Sequence, residues 1–575
     1  MLQISTGKFF GPSEVEETLH RGTFFTNYRI YDRKSYETAC GRLMPSAPWS
    51  KLITLTCETT ERLAKTNPDG SQSILISIGS NHMLSDFAAI TSFALNITCT
   101  LDPDLTRRLV SPNSIGPSGA NAPQSYLKRM FDTEVPAKAS DDAVLGDLVS
   151  KLMALDRKSY EGAIRAIRRF VSGAHRISDD IDLAYALFVA SIESLAQDFD
   201  GFIPTWGGVA KDRREPIDAA LLGVDEVVAD RVRGAVMDRE SRSLARRYRE
   251  FALSNVQSSY FREDAREALN PVRRSDIGRL LDRAYAIRSR YVHRLSEIPR
   301  NVLLVHDHSE TAYDDGERAL TFQGIARLSR HIIMNFIEGA RRAESEMFDW
   351  RRALPNITTM PVASQHWVWD ERGYSAKSAN RYLAGFLDQV ASVLQANGTP
   401  SLSDMRNVLR KMEELVPGTA GAAQRRPMVL LHYLYYRLMA DQFRSDDHTE
   451  FFSRFAADFD EPCLETAIAY IVFRRPLDWQ LADAEAVYAQ YYKQRHHRDG
   501  IHLNPFFEGA LTLAVAALAA EAGNQEVALV YVVHAVENNP GDVRLVALET
   551  DLMNGSRTSF AWQEIWLPAE PKDPA

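Results

Sequence analysis

Two residues in the stretch LLDRAYAIRSRYVHRL, Leu280 to Leu295, carry groups able to act on an RNA backbone: Arg288 and His293. A guanidinium can clamp a phosphate through two parallel hydrogen bonds. An imidazole is the side chain best suited to moving a proton near neutral pH. A phosphate clamp and a proton shuttle on one short segment form a minimal kit for cleaving RNA without metal. The ordinary role of Arg and His on an Arg-rich helix is a solvated surface or a salt bridge, and that reading stands beside the chemical one.

The positioning element is a helix. The stretch has no Gly or Pro, and Leu280, Ala284, Ile287, Tyr291 and Leu295 recur at the spacing of a core-facing stripe. Arg288 falls on the edge of that stripe, and His293 lies roughly 140° further round the helix. Leu281, Tyr285, Ser289 and Val292 make a second, mixed face. That face suits packing against a partner helix with polar groups left at a cleft, and Pro299 breaks the pattern beyond it.

The segment RSRYVH, Arg288 to His293, resembles the motif of HEPN domains: an Arg, a polar residue, three further residues and a His near the end of a helical domain. Ser289 stands where the family often has Asn. Upstream, DLAYALFVASIESLAQDF, Asp182 to Phe199, resembles the HEPN helix that carries an acidic residue, here Glu193. Downstream, Leu320 to Ala340 resembles the closing helix, so the resemblance covers roughly residues 140 to 345. It implies a metal-independent endoribonuclease with Arg288, His293 and Glu193 as catalytic residues and no cofactor. It further implies a homodimer in which two motif helices pair to form the site, in the setting of prokaryotic anti-phage defence or a toxin system. Ser289, Arg290, Arg283 and Arg294 are then the candidate RNA-binding residues. The family also contains members that keep the fold as non-catalytic scaffolds, binding a protein partner or a nucleotide.

With 575 residues the chain is too long for one core, and three or so domains are expected. Hydrophobic residues make up 45% and charged residues 25%, the balance of a soluble globular protein. No apolar run is long enough to span a bilayer, and the N-terminus lacks a secretory layout. The four cysteines show no metal-site spacing, which points to reduced thiols in a cytoplasm. The net charge of -9 argues against a protein that coats nucleic acid. Residues 251 to 300 nevertheless hold ten Arg, no Lys and six acids, a local excess that fits a focused anion site or, residue by residue, ion pairs on helix surfaces.

The expected architecture is mainly α, in three domains. Residues 1–135 read as an α+β domain, with strands at Leu52–Cys57 and Ile74–Gly79, a turn at Asn67–Gly70, a helix from Ser85 to about Thr98 whose end could be strand, and an exposed Pro, Gly and Ser loop at Ser111–Ser125. Residues 136–345 read as the HEPN-like helical bundle, in which Tyr160, Ile164, Ile167 and Val171 share a buried face. A polar connector runs from His306 to Glu317. His306, His308, Asp314 and Asp315 within it make a metal site conceivable. Residues 346–575 read as a locally packed linker with Trp350, Pro355 and Pro361, followed by helical repeats. Their last part resembles a tetratricopeptide unit through Ala516, Ala528, Ala535 and Pro540, with an inter-helix turn at Ala522–Asn524. Such arrays usually bind protein. The three histidines of RHHRDGIH, Arg495 to His502, make a metal conceivable, and a cationic helix end is their ordinary explanation.

Overall fold

A computed structural model describes residues 2–9, 14–31, 34–66, 71–72, 78–111, 121–201, 205–209, 211–240, 244–304, 307–346, 360, 362–395, 401–443 and 448–568. The turn at 67–70, most of the 74–79 strand, much of the 111–125 loop, His306, Trp350, Pro355 and Pro361 lie outside them. The chain divides into two compact units, Met1–Thr358 and Thr359–Ala575.

The first unit opens with β1 (Val15–Thr26), β2 (Tyr28–Arg29), β3 (Tyr36–Thr38), β4 (Gly41–Pro45) and β5 (Ile53–Ala64). Helix α1 (Ser80–Leu95), β6 (Cys99–Thr100), α2 (Pro103–Val110) and β7 (Val135–Pro136) complete this part. The main sheet runs β3-β4-β5-β1-β6, and β1 pairs antiparallel with β5 from Val15 opposite Ala64 to Thr26 opposite Ile53. The expected strand at 52–57 is therefore the first half of a longer one. Its polar second half holds because the buried Glu61 lies 2.8 Å from His20, and Glu58 pairs with Arg21 and Arg42. Helix α1 ends at a left-handed Asn96 (φ 53), and the strand β6 follows it.

Six helices of this unit follow: α3 (Asp141–Ala154), α4 (Arg157–Arg176), α5 (Ile181–Phe199), α6 (Lys211–Ala220), α7 (Glu226–Glu240) and α8 (Leu244–Ser254). Tyr160, Ile164, Ile167 and Val171 of α4 are all buried, as the spacing requires. Asp156 and Asp180 cap α4 and α5 by accepting from the Ser159 and Leu183 backbone N–H groups. Phe93 of α1 meets Phe170 of α4 edge-on at 5.2 Å, and Phe170 meets Phe188 of α5 at 5.1 Å. One apolar core thus runs from the sheet into the helices, across residue 135 where the sequence suggested a boundary.

The unit closes with α9 (Ile277–Arg294), α10 (Arg300–Leu303), a hairpin of β8 (Thr311–Asp314) and β9 (Glu317–Leu320), and α11 (Phe322–Gly339). The segment expected as a polar connector is this hairpin. Asp315 (φ 50) and Gly316 (φ 78) occupy its two left-handed turn positions, the geometry that a two-residue hairpin favours. Helix α11 coincides with the expected closing helix, and Thr321 caps it.

The second unit is helical among its described residues: α12 (Ala379–Leu394), α13 (Arg406–Leu415), α14 (Ala422–Leu438), α15 (His448–Arg454), α16 (Leu464–Val472), α17 (Leu481–Gln494), α18 (Pro505–Glu521), α19 (Gln525–Asn538), α20 (Val543–Met553) and α21 (Trp562–Trp566). Residues 522–524 form the turn between α18 and α19, and Ala516, Ala528 and Ala535 are buried where the two helices pack. The chain is mainly α with a small N-terminal sheet.

Candidate functional site

Helix α9 is fixed by a wide inner face. Ile277, Leu280, Leu281, Ala284 and Ile287 are buried, each large side chain worth roughly 1.5–3 kcal/mol of burial. Leu281, expected on an outer face toward a second chain, lies instead in the intramolecular core at 0% exposure. The reason is that α5 and α8 pack on α9 together, so its apolar arc is broader than one stripe. Leu295, expected to extend the stripe, is 80% exposed. Its left-handed backbone (φ 52) closes the helix, with its N–H donating to Tyr291 O at 2.8 Å. The helix has therefore ended before Pro299 is reached.

The fold brings Glu193 of α5 to Arg288 of α9. Arg288 Nη2 stands 2.7 Å from Glu193 Oε2, and the Tyr285 hydroxyl donates to Glu193 Oε1 at 3.3 Å. Glu193 is 3% exposed, so these two donors satisfy a carboxylate that could not stand alone in the core. The Arg288 guanidinium also lies 5.8 Å from the Tyr285 ring centre, and Tyr248 of α8 packs on the same ring at 5.3 Å. Burial pushes the Tyr285 phenol up to about 12, with Glu193 adding to the rise and Arg288 opposing it. Tyr285 is therefore a protonated donor at neutral pH. The Tyr248 hydroxyl is buried without a hydrogen-bond partner among the described residues, and its burial, with the nearby acids, raises its pKa.

His293 stands apart from this cluster. Together with Arg294 it occupies the exposed last turn of α9; Arg290 is exposed and Ser289 half-buried. None of these four side chains makes a hydrogen bond or ion pair with another described residue. Five residues of helix separate Arg288 from His293 by roughly 7.5 Å of rise and 140° of turn, so the two side chains diverge within one chain. A cationic last turn is favourable in its own right beside the negative helix end.

Arg283, a candidate for RNA, is already engaged. It lies 2.5 Å from Asp314 Oδ2, donates to the Asp314 carbonyl at 2.9 Å and pairs with Glu317. The β8–β9 hairpin thus takes up this guanidinium and pins α9 along its length. At the far end, Asp182 of α5 accepts the Ile298 N–H at 2.8 Å.

Sequence reasoning missed Tyr285 and Tyr248 as the surroundings of Glu193. Tyr285 lies three residues before Arg288, the spacing of helical neighbours, which was a signal available in the sequence. It also missed the pair of Glu310 with Arg327 of α11, whose Nη2 donates to Oε2 at 2.8 Å. Glu310 lies within the segment taken for a polar connector, and no local pattern marks it as buried. Among the described residues, no group of three or more His, Cys, Asp or Glu side chains could hold a metal ion, and no helix is long and apolar enough to cross a membrane. No protein-family model matches the chain, and no curated protein and no solved structure matches it either.

Proposed function

We propose that the protein is a metal-independent endoribonuclease of HEPN type that acts as a homodimer. The observation supporting this reading is the meeting of Glu193 and Arg288, two residues far apart in sequence that the HEPN resemblance pairs in one site. In the proposed reaction His293 removes the proton from a ribose 2′-hydroxyl. The 2′-oxygen attacks the adjacent phosphorus, the bond to the 5′-oxygen breaks, and the proton passes to that leaving oxygen. Arg288, held in orientation by Glu193, offers its remaining N–H groups to the charge growing on the phosphate oxygens. Arg290, Arg294 and Ser289 line the exposed flank along which the RNA backbone would lie.

The divergence of Arg288 and His293 within one chain favours a site completed by two α9 helices. The exposed Val292, 47% accessible, and the half-buried Ser289 belong to the contacting face. The products are a 2′,3′-cyclic phosphate and a 5′-hydroxyl. The test is incubation of full-length protein with RNA in EDTA, with the product ends read by mass spectrometry. Activity that disappears in EDTA and returns with a divalent metal would exclude the mechanism.

One observation favours a second reading. Arg288 and Tyr285 already satisfy the Glu193 carboxylate within the fold, as in a purely structural cluster. On that reading the protein is a non-catalytic scaffold that binds a protein partner through the helices of the second unit. An intact dimer without RNA cleavage, and a protein recovered on residues 380–555, would favour it.

A further inference from the structure

A cleft of about 420 Å³ opens in the first unit beside Asn96, Leu127 and helix α11. Its size falls among small-molecule sites, which run roughly 300–1,000 Å³. The charged groups on its walls differ in how they are matched. Arg327 is taken up by the buried Glu310 and lies 3.8 Å over the Tyr260 ring. His331 accepts the Gln257 N–H on Nε2 and lies 3.2 Å from Asp264 on Nδ1. Burial holds its pKa below the usual histidine range, so it is neutral near pH 7 and Asp264 is its hydrogen-bond acceptor. Among the described residues Lys128 pairs with Glu267 alone, at 3.3 Å, an exposed pairing worth little.

Arg330 is the exception. It donates from Nε to the Phe93 carbonyl at 2.9 Å and from Nη2 to the Ala94 carbonyl at 2.6 Å, at the end of α1. No carboxylate pairs with it among the described residues, and its Nη1 has no partner there. The negative end of α1 offsets only part of a unit charge. Burial depresses the Arg330 pKa with Asp264 alone among nearby acids opposing it, as for a cation short of a counter-charge. The cleft therefore presents two cations, Arg330 and Lys128, beside apolar wall formed by Leu127, Ala326 and Met334.

We propose that this cleft binds a small organic phosphate, with the phosphate on Arg330 Nη1 and the Lys128 ammonium and the organic part on Leu127, Ala326 and Met334. A phosphate dianion matches two cations where a carboxylate matches one, and a guanidinium fork suits its oxygens. The site is independent of Arg288 and His293, so it stands whether or not the protein cleaves RNA.

The test is isothermal titration calorimetry of the full-length protein with adenosine 5′-monophosphate, adenosine, acetate, inorganic phosphate and a short single-stranded RNA. The mononucleotide is expected to bind, adenosine and acetate are not, and inorganic phosphate is expected to bind more weakly. Lys128→Gln is expected to weaken the mononucleotide about tenfold, and Arg330→Gln more. Arg330 also holds the end of α1, so its variant is checked by circular dichroism; the exposed Lys128 carries the test if Arg330→Gln does not fold. No binding of the mononucleotide at about 10 mM would overturn the proposal. So would unchanged binding in Lys128→Gln, inorganic phosphate binding as tightly as the mononucleotide, or binding of the RNA alone.

Discussion

Along α9, residues 277–288 and residues 289–294 satisfy their polar groups in different ways. In the first part every long polar side chain on the inner side has a partner from another element: Arg283 has Asp314 and Glu317, and Arg288 has Glu193. In the second part Arg290, His293 and Arg294 are exposed and have none among the described residues. A count of arginines along the segment treats them alike, whereas their partners divide them. An arginine neutralised within the fold holds structure, and a cation left at the surface is free to meet an anion. Arg288 stands at the border, with one nitrogen committed and its side chain 19% exposed.

The comparison is sharpest where burial is deepest. Ile287 is 2% exposed, and Ile287→Ala is expected to cost about 2–5 kcal/mol in urea denaturation. A loss under about 1 kcal/mol would mean that this core does not hold α9. Glu193→Leu leaves a half-buried guanidinium without its acid and is expected to cost about 1–3 kcal/mol. Adding Arg288→Leu should recover part of that loss, because the pair must be removed together to relieve an unpaired charge. If the double variant is no more stable than the single, the pair does not act as a unit.

A smaller effect is expected at a half-buried histidine of α4. Burial holds the His175 pKa down to about 4, below its ordinary 6.5, and its Nε2 has no hydrogen-bond partner among the described residues. The unfolded chain therefore binds the proton first as pH falls. The contribution is fully present above about pH 6.5 and is lost as pH falls from there toward 4. His175→Gln should flatten the stability curve in that window. The smallest effect is on stability itself at the surface, where His293→Ala should shift unfolding by no more than about 0.5 kcal/mol.

Helix α4 was legible in the sequence because its apolar stripe is regular over its whole length. Helix α11 lies where the resemblance placed a closing helix, and the contact of Glu193 with Arg288 is one that no spacing in the sequence marks. Periodicity failed at Leu281 because α5 and α8 both pack on α9, and one sequence cannot say how many neighbours a helix has. It failed at Leu295 because a left-handed closing residue redirects the side chain without changing the residue pattern. Strand β1 escaped notice because VEETLHRGTFFT is largely polar, its charges being matched across the sheet by β5. Arg283 looked free because its partners belong to a hairpin that reads as a loop until its Asp-Gly turn is recognised.

The most direct measurement is RNA cleavage in EDTA by wild type and His293→Ala, with urea denaturation of the same preparations. The expected result is 2′,3′-cyclic phosphate products from the wild type, none from His293→Ala, and coincident unfolding midpoints. Cleavage that persists in a folded His293→Ala, or its absence from a folded, dimeric wild type, would contradict the assignment of chemistry to the last turn of α9.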